Sequence, residues 1–184
     1  GRVMAHFEKQ LSSEEIFAGR VIRVTVDKVE LENGRTSTRE VVHHHGGAGV
    51  IALNDRDEIT LVRQFRYALG KELIEIPAGK LEPGEDPFDS AQRELGEEAG
   101  LTARTYRKLG ETIPTCGYDS ETIYLYAAKD LDATKQHLDP DEFVSVFTMP
   151  LSEAVDKVLA GEITDGKTIN AILMLHTLRE RGEF

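Results

Sequence analysis

The chain is almost without cysteine. Cys116 stands alone among 184 residues, so no internal disulfide framework can form, and the composition suits a reducing cytosol. No run of 18 apolar residues occurs, which leaves no candidate for a membrane-crossing helix. No signal-peptide pattern stands at the start, and a cytoplasmic location is expected. Positive charge is in short supply: 22 Lys and Arg face 33 Asp and Glu, a net charge of −11 with a pI near 5.0. That argues against non-specific binding to nucleic acid or to an anionic membrane. It leaves open a small phosphorylated ligand, whose binding depends on local charges and on metal ions. Repeats and low-complexity segments are missing as well.

What is present is ordinary for a soluble globular protein, with 40% hydrophobic and 30% charged residues. The length fits one domain, or one domain with an added N-terminal piece. Gly1-Arg2-Val3 ahead of Met4 reads as a remnant of expression and carries no weight. His43-His44-His45 invites a metal reading, but consecutive strand residues point to alternate faces, so the three cannot easily share one ion.

The pattern of apolar residues predicts a mixed sheet with two or three helices, an α+β layering. Residues 7–18 are polar and read as irregular. Residues 20–32 alternate, Asn33-Gly34 marks a tight turn, and 36–43 resumes as a second strand, which together read as an N-terminal hairpin. Further strands are expected at 50–53, 58–66, 71–76, 106–114, 121–130 and 142–149. Helices are expected at 152–160, capped by Ser152, and at 168–181.

The most informative stretch is 79–101, GKLEPGEDPFDSAQRELGEEAGL. Asp86 is placed to cap a helix, Pro87 fits its first position, and Asp89 adds favourable charge there. Gly100 suits the left-handed residue just past the end. Phe88, Ala91, Leu95 and Ala99 form one apolar stripe. Glu94, Glu97 and Glu98 lie three and four residues apart, so they are neighbours that repel one another. Arg93 supplies a single positive charge among them. Clustered carboxylates beside a glycine-bearing loop, with Gly79 and Gly84, suit a hard cation such as Mg²⁺ or Mn²⁺ together with phosphate. A solvated acidic face is the plainer alternative. Gly96, inside the helix, costs about 1 kcal/mol relative to Ala and has no evident function.

Gly79, Glu85, Arg93, Glu94, Leu95, Glu97, Glu98, Gly100 and Leu101 fall at every fixed position of G-x5-E-x7-R-E-U-x-E-E-x-G-U, U being apolar. The stretch therefore resembles the Nudix box. The resemblance implies a metal-dependent hydrolase of nucleoside diphosphate derivatives, with a Nudix-type α/β/α sandwich. Residues 62–85, VRQFRYALGKELIEIPAGKLEPGE, resemble the ADP-ribose pyrophosphatase branch. So does PTCGYDSE at 114–121, although Cys116 stands where that branch has a proline and Pro114 lies two residues earlier.

The resemblance implies a division at residue 45, with 1–45 a β subdomain for dimerisation and 46–184 the Nudix domain. It implies metal ligands at the Ala78 carbonyl, Glu94, Glu97 and Glu98, with Glu85 ordering the loop and Arg93 bracing the helix. Arg66 matches an arginine holding phosphate or the terminal ribose, and Glu121 is a candidate contact to ribose or adenine. Arg39 and Glu40 would serve the neighbouring subunit's site in a homodimer. The acidic loop DPDE at 139–142 supplies the candidate base, Glu142, with Asp141 behind it and Glu97 as a further catalytic carboxylate. The implied reaction gives AMP and ribose 5-phosphate from ADP-ribose. Another nucleoside diphosphate sugar, a dinucleotide, or a non-catalytic nucleotide-binding module are the alternatives.

Overall fold

The computed structural model describes residues 3–184, so Gly1 and Arg2 of the leading tripeptide lie outside the described residues. The chain divides into two compact units. One holds the residues up to His45 with Thr115–Glu121, and the other holds Gly46–Pro114 with Thr122–Phe184.

In the first unit, strands β1 (Lys9–Ala18), β2 (Arg23–Glu30) and β3 (Thr36–His43) form an antiparallel sheet in that order. The β2–β3 connection turns through Asn33-Gly34 as expected, with Gly34 at φ 80°. β1 corrects the reading of 7–18 as irregular. All ten of its residues are exposed, so burial imposes no alternation on its sequence, and backbone pairing with β2 defines the strand. Residues 115–121 run beside β3, where the Val42 N–H donates to Tyr118 O at 2.7 Å and the Ser120 N–H to Val42 O at 2.9 Å.

The second unit contains β4 (Gly47–Ala52), β5 (Glu58–Arg66), β6 (Lys71–Glu75), β7 (Ala78–Lys80), α1 (Pro87–Ala99), β8 (Leu101–Thr112), β9 (Ile123–Ala133), β10 (Val144–Pro150), α2 (Leu151–Leu159) and α3 (Gly166–Glu180). One sheet runs β7-β4-β9-β8, with β4 and β9 parallel and the other pairs antiparallel; an antiparallel sheet runs β10-β5-β6. β4 is buried from end to end because helices cover both of its faces. Ala48, Val50 and Ala52, with Tyr126 and Ala128 of β9, pack on Ala91 and Leu95 of α1. Ile51, Leu125 and Ala127 face the other way, into a core with Ala171, Ile172 and Leu175 of α3. The period of two along both strands thus produces the α/β/α layering.

Helix α1 has the ends its sequence dictates. The Asp86 carboxylate accepts from the N–H groups of Phe88 (2.9 Å) and Asp89 (3.3 Å), Pro87 holds the first position, and Gly100 closes the helix at φ 66°. That left-handed residue sends the chain straight into β8, which starts at Leu101, earlier than the apolar pattern indicates. Ala91 and Leu95 are fully buried. Phe88 sits at the rim of the stripe, 37% exposed, its ring edge-on to Tyr106 at 5.1 Å and tilted against Tyr126 at 5.4 Å. At Gly96 an added Cβ meets only Leu101 O, at 3.8 Å, so no close approach requires that glycine.

Two helix starts differ from expectation. α2 begins at Leu151 behind Pro150 and has no side-chain cap, so Ser152 lies within the helix rather than capping it. α3 begins at Gly166, its cap being Asp165, which accepts from the Thr168 N–H at 3.2 Å. The Asp86 cap leads to a direct expectation: Asp86→Ala should destabilise the protein by about 1 kcal/mol, read as a lowered urea midpoint with unchanged m-value.

Candidate active site

The loop 81–86 and helix α1 are joined by one guanidinium. Arg93 donates to both oxygens of Glu85 (Nε 2.9 Å, Nη2 3.0 Å), and its Nη1 reaches Glu94 Oε1 at 2.9 Å and Glu97 Oε2 at 3.0 Å. The hydrogen bonds from Arg93 hold the Glu85 carboxyl down at about 2, against the desolvation that would raise it. Glu85 Oε1 also accepts from the Glu82 N–H at 3.1 Å. Glu85 therefore orders the loop and Arg93 braces the helix.

Glu94 lies over the backbone of β7. A Cβ built on Gly79 would fall 2.1 Å from both Cδ and Oε1 of Glu94, so any side chain at 79 would claim the carboxylate's space. One turn on, Glu98 is 8% exposed, and its Oε2 accepts from the Ala78 N–H at 3.4 Å. Two helix carboxylates thus converge on Ala78-Gly79.

Their protonation reflects that placement. Burial pushes Glu98 up to about 8, assisted by the charges of Glu94, Glu142 and Glu75, with the Ala78 N–H opposing. Burial pushes Glu94 up to about 7, opposed by Arg93 and assisted by Glu97 and Glu142. Glu142 itself is raised, first by burial, although the Asp139 N–H opposes the shift. Its charge adds to the upward shift of both helix carboxylates.

Among the described residues no group of three His, Cys, Asp or Glu side chains is gathered as a ready metal site. On the helix itself, the Glu97 side chain is 43% exposed and pairs with Arg93. The residues nonetheless fit a hard divalent cation. Glu94 and Glu98 offer only oxygen donors, their mutual repulsion lacks a full counter-charge, and Gly79 clears the space beside them.

The remaining sequence candidates are distributed differently. Arg66, at the end of β5, makes a forked pair with Glu75 (Nε 2.8 Å, Nη2 2.7 Å). Asp141 stands exposed in the loop next to Glu142. Arg39, Glu40 and Glu121 belong to the other unit; Arg39 pairs with Glu8 at 2.7 Å and Glu40 is exposed on β3. The sequence reading overlooked Glu75 and Lys167, whose Nζ donates to Glu75 Oε1 at 2.7 Å. The one available signal is an acid flanked by Ile74 and Ile76.

These shifts set a pH dependence for the cation-free protein. Glu94 and Glu98 sit at about 7 and about 8 when folded, against 4.5 in the unfolded chain. Between those values the folded state keeps protons that the unfolded state has lost. Stability should therefore fall as pH rises from about 5 to about 8 and then level off. Mg²⁺ should raise the calorimetric melting temperature at the upper end of that window and have little effect at the lower end. Gly79→Ala should weaken Mn²⁺ binding by about tenfold or more, measured by titration, because it displaces a carboxylate that a ligand role requires in place.

Comparison with known proteins identifies the family. The NUDIX domain family matches residues 43–171, and the nucleoside diphosphate sugar hydrolase N-terminal domain matches residues 8–42. The chain is 44% identical to a methanol dehydrogenase activator of Bacillus methanolicus and 42% identical to an ADP-ribose pyrophosphatase of Bacillus subtilis (strain 168), each alignment covering 91% of this chain and 92% of the relative. An ADP-ribose pyrophosphatase of Mycobacterium tuberculosis is 34% identical, over 94% of this chain and 85% of its own. A solved structure of an ADP compounds hydrolase shares the fold, with a TM-score of 0.84 at 20% identity over the whole of both chains. A box complete at every fixed position, folded into a capped helix whose carboxylates meet the Ala78-Gly79 backbone, places this chain in the NUDIX hydrolase family.

Proposed function

We propose that this protein hydrolyses the diphosphate of ADP-ribose to AMP and ribose 5-phosphate in the cytoplasm, with Mg²⁺ or Mn²⁺ as cofactor. The observation that carries the reading is the pair Glu94 and Glu98, set against Ala78-Gly79 with Glu98 buried and Glu94 half-buried, and short of positive charge. The choice of ADP-ribose draws on the relatives named ADP-ribose pyrophosphatase. NUDIX hydrolases generally use divalent metal ions, and Glu94, Glu98, the Ala78 carbonyl and Glu97 are the groups that would hold them. When bound, such a cation neutralises phosphate charge and lowers the pKa of a bound water.

The chain's own residues have the following parts. Arg66, whose Nε and Nη2 are held by Glu75, offers its Nη1 and its charge to a phosphate oxygen. Glu142, raised by burial, is the base that takes the proton of the attacking water, and Asp141 is its neighbour in the loop. Water oxygen bonds to one phosphorus, the bridging P–O bond breaks, and the departing phosphate takes the electron pair. The same reading includes a homodimer in which residues 1–45 form the contact. Arg39, Glu40 and Glu121 are then the contacts to the nucleoside and ribose portions.

The deciding experiment is a Mg²⁺-dependent assay, coupled to phosphatase, over ADP-ribose, ADP-glucose, NADH and diadenosine compounds. ADP-ribose should be the preferred substrate. Preference for another member would move the reading to a different nucleotide substrate, and no turnover of any would leave a binding module. Glu98→Gln should lower kcat by orders of magnitude while circular dichroism shows an intact fold. Near-normal turnover in that variant would overturn the metal assignment. Glu142→Gln should lower kcat by orders of magnitude across the pH range while Mg²⁺ affinity changes much less, because the base is lost and the Glu94–Glu98 pair remains.

A further inference from the structure

A second charged network lies behind the carboxylate pair. Glu75 ends β6, is 2% exposed, and carries a buried negative charge. Burial raises its carboxyl, but hydrogen bonds from Arg66 and the charge of Lys167 outweigh that and hold it below the usual range. Register places Glu75 opposite Val62, four residues before Arg66 on β5, so Arg66 and Glu75 share one face of the sheet. Arg66 gives Glu75 its Nε and Nη2 and keeps Nη1 free of that pairing, with the side chain 43% exposed. Lys167, 11% exposed, shares Glu75 Oε1 with Arg66 and also reaches Asp165 Oδ2 at 3.0 Å.

The same turn of α3 grips the backbone leading into the site. The Ile76 N–H donates to Thr168 Oγ1 at 2.9 Å, and that hydroxyl donates in turn to Asp165 Oδ2 at 2.6 Å. Thr168 is fully buried. Two residues beyond Ile76 is Ala78, whose N–H faces Glu98. One helical turn therefore fixes both a cation of β5 and the strand that carries the backbone at the carboxylate pair.

We infer that Asp165, Lys167 and Thr168 are positioning residues of the hydrolytic site, holding Arg66 and the 75–78 backbone in register for a diphosphate. The inference rests on the proposed function. Its physical content is a division of charge. Lys167 is shared between Glu75 and Asp165 and offsets part of the Glu75 charge, so Arg66 does not neutralise Glu75 alone and keeps attraction for a phosphate oxygen. With Lys167 absent, Glu75 neutralises Arg66 more fully and the site turns more negative towards an anionic substrate. Thr168 acts on the other arm, by fixing the height of the 75–78 segment against Glu98.

Steady-state kinetics on the full chain tests this. Lys167→Met should raise the KM for ADP-ribose about tenfold, equivalent to about 1.4 kcal/mol of binding, with kcat changed much less. Lys167→Arg should restore KM. In an Arg66→Ala background, Lys167→Met should add little further, because Lys167 acts through Arg66. Thr168→Val should instead lower kcat with KM nearly unchanged, and Thr168→Ser should recover it. Should Lys167→Met fail to fold by circular dichroism, Lys167→Gln keeps a donor to Glu75 without the charge and should show the same rise in KM. An unchanged KM in a folded Lys167 variant, or full additivity with Arg66→Ala, overturns the inference. If the parent hydrolyses no diphosphate, the proposed function fails, and the same variants read as Kd for ADP-ribose by calorimetry decide the positioning role. Absence of binding to the parent overturns both.

Discussion

The Glu94 carboxylate occupies the space that a side chain at 79 would need, and the arrangement of the site follows from that exclusion. Helix α1 is pressed towards the sheet by Ala91 and Leu95, which pack among the small residues Ala48, Ala52 and Ala128. Short side chains on both surfaces set a close approach. At that approach only a residue without Cβ at 79 lets Glu94 reach the backbone of β7. The capped start, the left-handed stop at Gly100 and the Arg93–Glu85 pair then fix the helix along and about its own axis. Glycine at 79 is demanded by a neighbour's carboxylate, since its backbone lies in an ordinary strand.

That approach has an electrostatic cost which the fold leaves partly uncompensated. Arg93 is bonded to Glu85, Glu94 and Glu97, but not to Glu98. Glu98 is the most enclosed of the four and the furthest displaced in protonation, and Glu94 and Glu142 add to its burden. A packed interior would ordinarily avoid two acids facing each other with one shared guanidinium as their bonded cation. Under the function proposed above, a bound divalent ion would supply the charge that is missing. Stability of the free protein and affinity for a cation are then opposed through the same two side chains.

The sequence revealed best what is settled locally. Asp86, Pro87 and Gly100 act within a turn of their own positions, and the structure shows each in its expected place. β4 was also legible as a strand, though its earlier start at Gly47 was not, because glycines carry no pattern. β1 escaped because pairing defines it while all its side chains face solvent. Ser152 misled because Pro150 begins α2 one residue earlier and leaves the hydroxyl within the helix. The network around Glu75 was out of reach for a different reason: Lys167 and Thr168 stand 92 residues from the groups they bind. Contacts at that separation exist only once the sheet is assembled, and no local spacing encodes them. The spacing of Gly79 to Glu94 was visible, whereas its physical cause required the distance between them.

The helix itself shows how one short sequence carries three tasks without conflict. Residues four apart lie in rows along a helix, and α1 sorts its residues by row. Ala91 and Leu95 form the buried row against β4 and β9. Arg93 and Glu97 form a row of opposite charge, joined at 3.0 Å and turned towards water. Glu94 and Glu98 form a row of like charge, and this is the row set against Ala78-Gly79. Helical geometry binds the rows together. A shift of one residue in either cap would rotate the helix by about 100°, taking Glu94 and Glu98 off the Ala78-Gly79 backbone. The caps and the glycine therefore belong to the same specification as the carboxylates: they decide which of the rows is left wanting a cation, and where it waits.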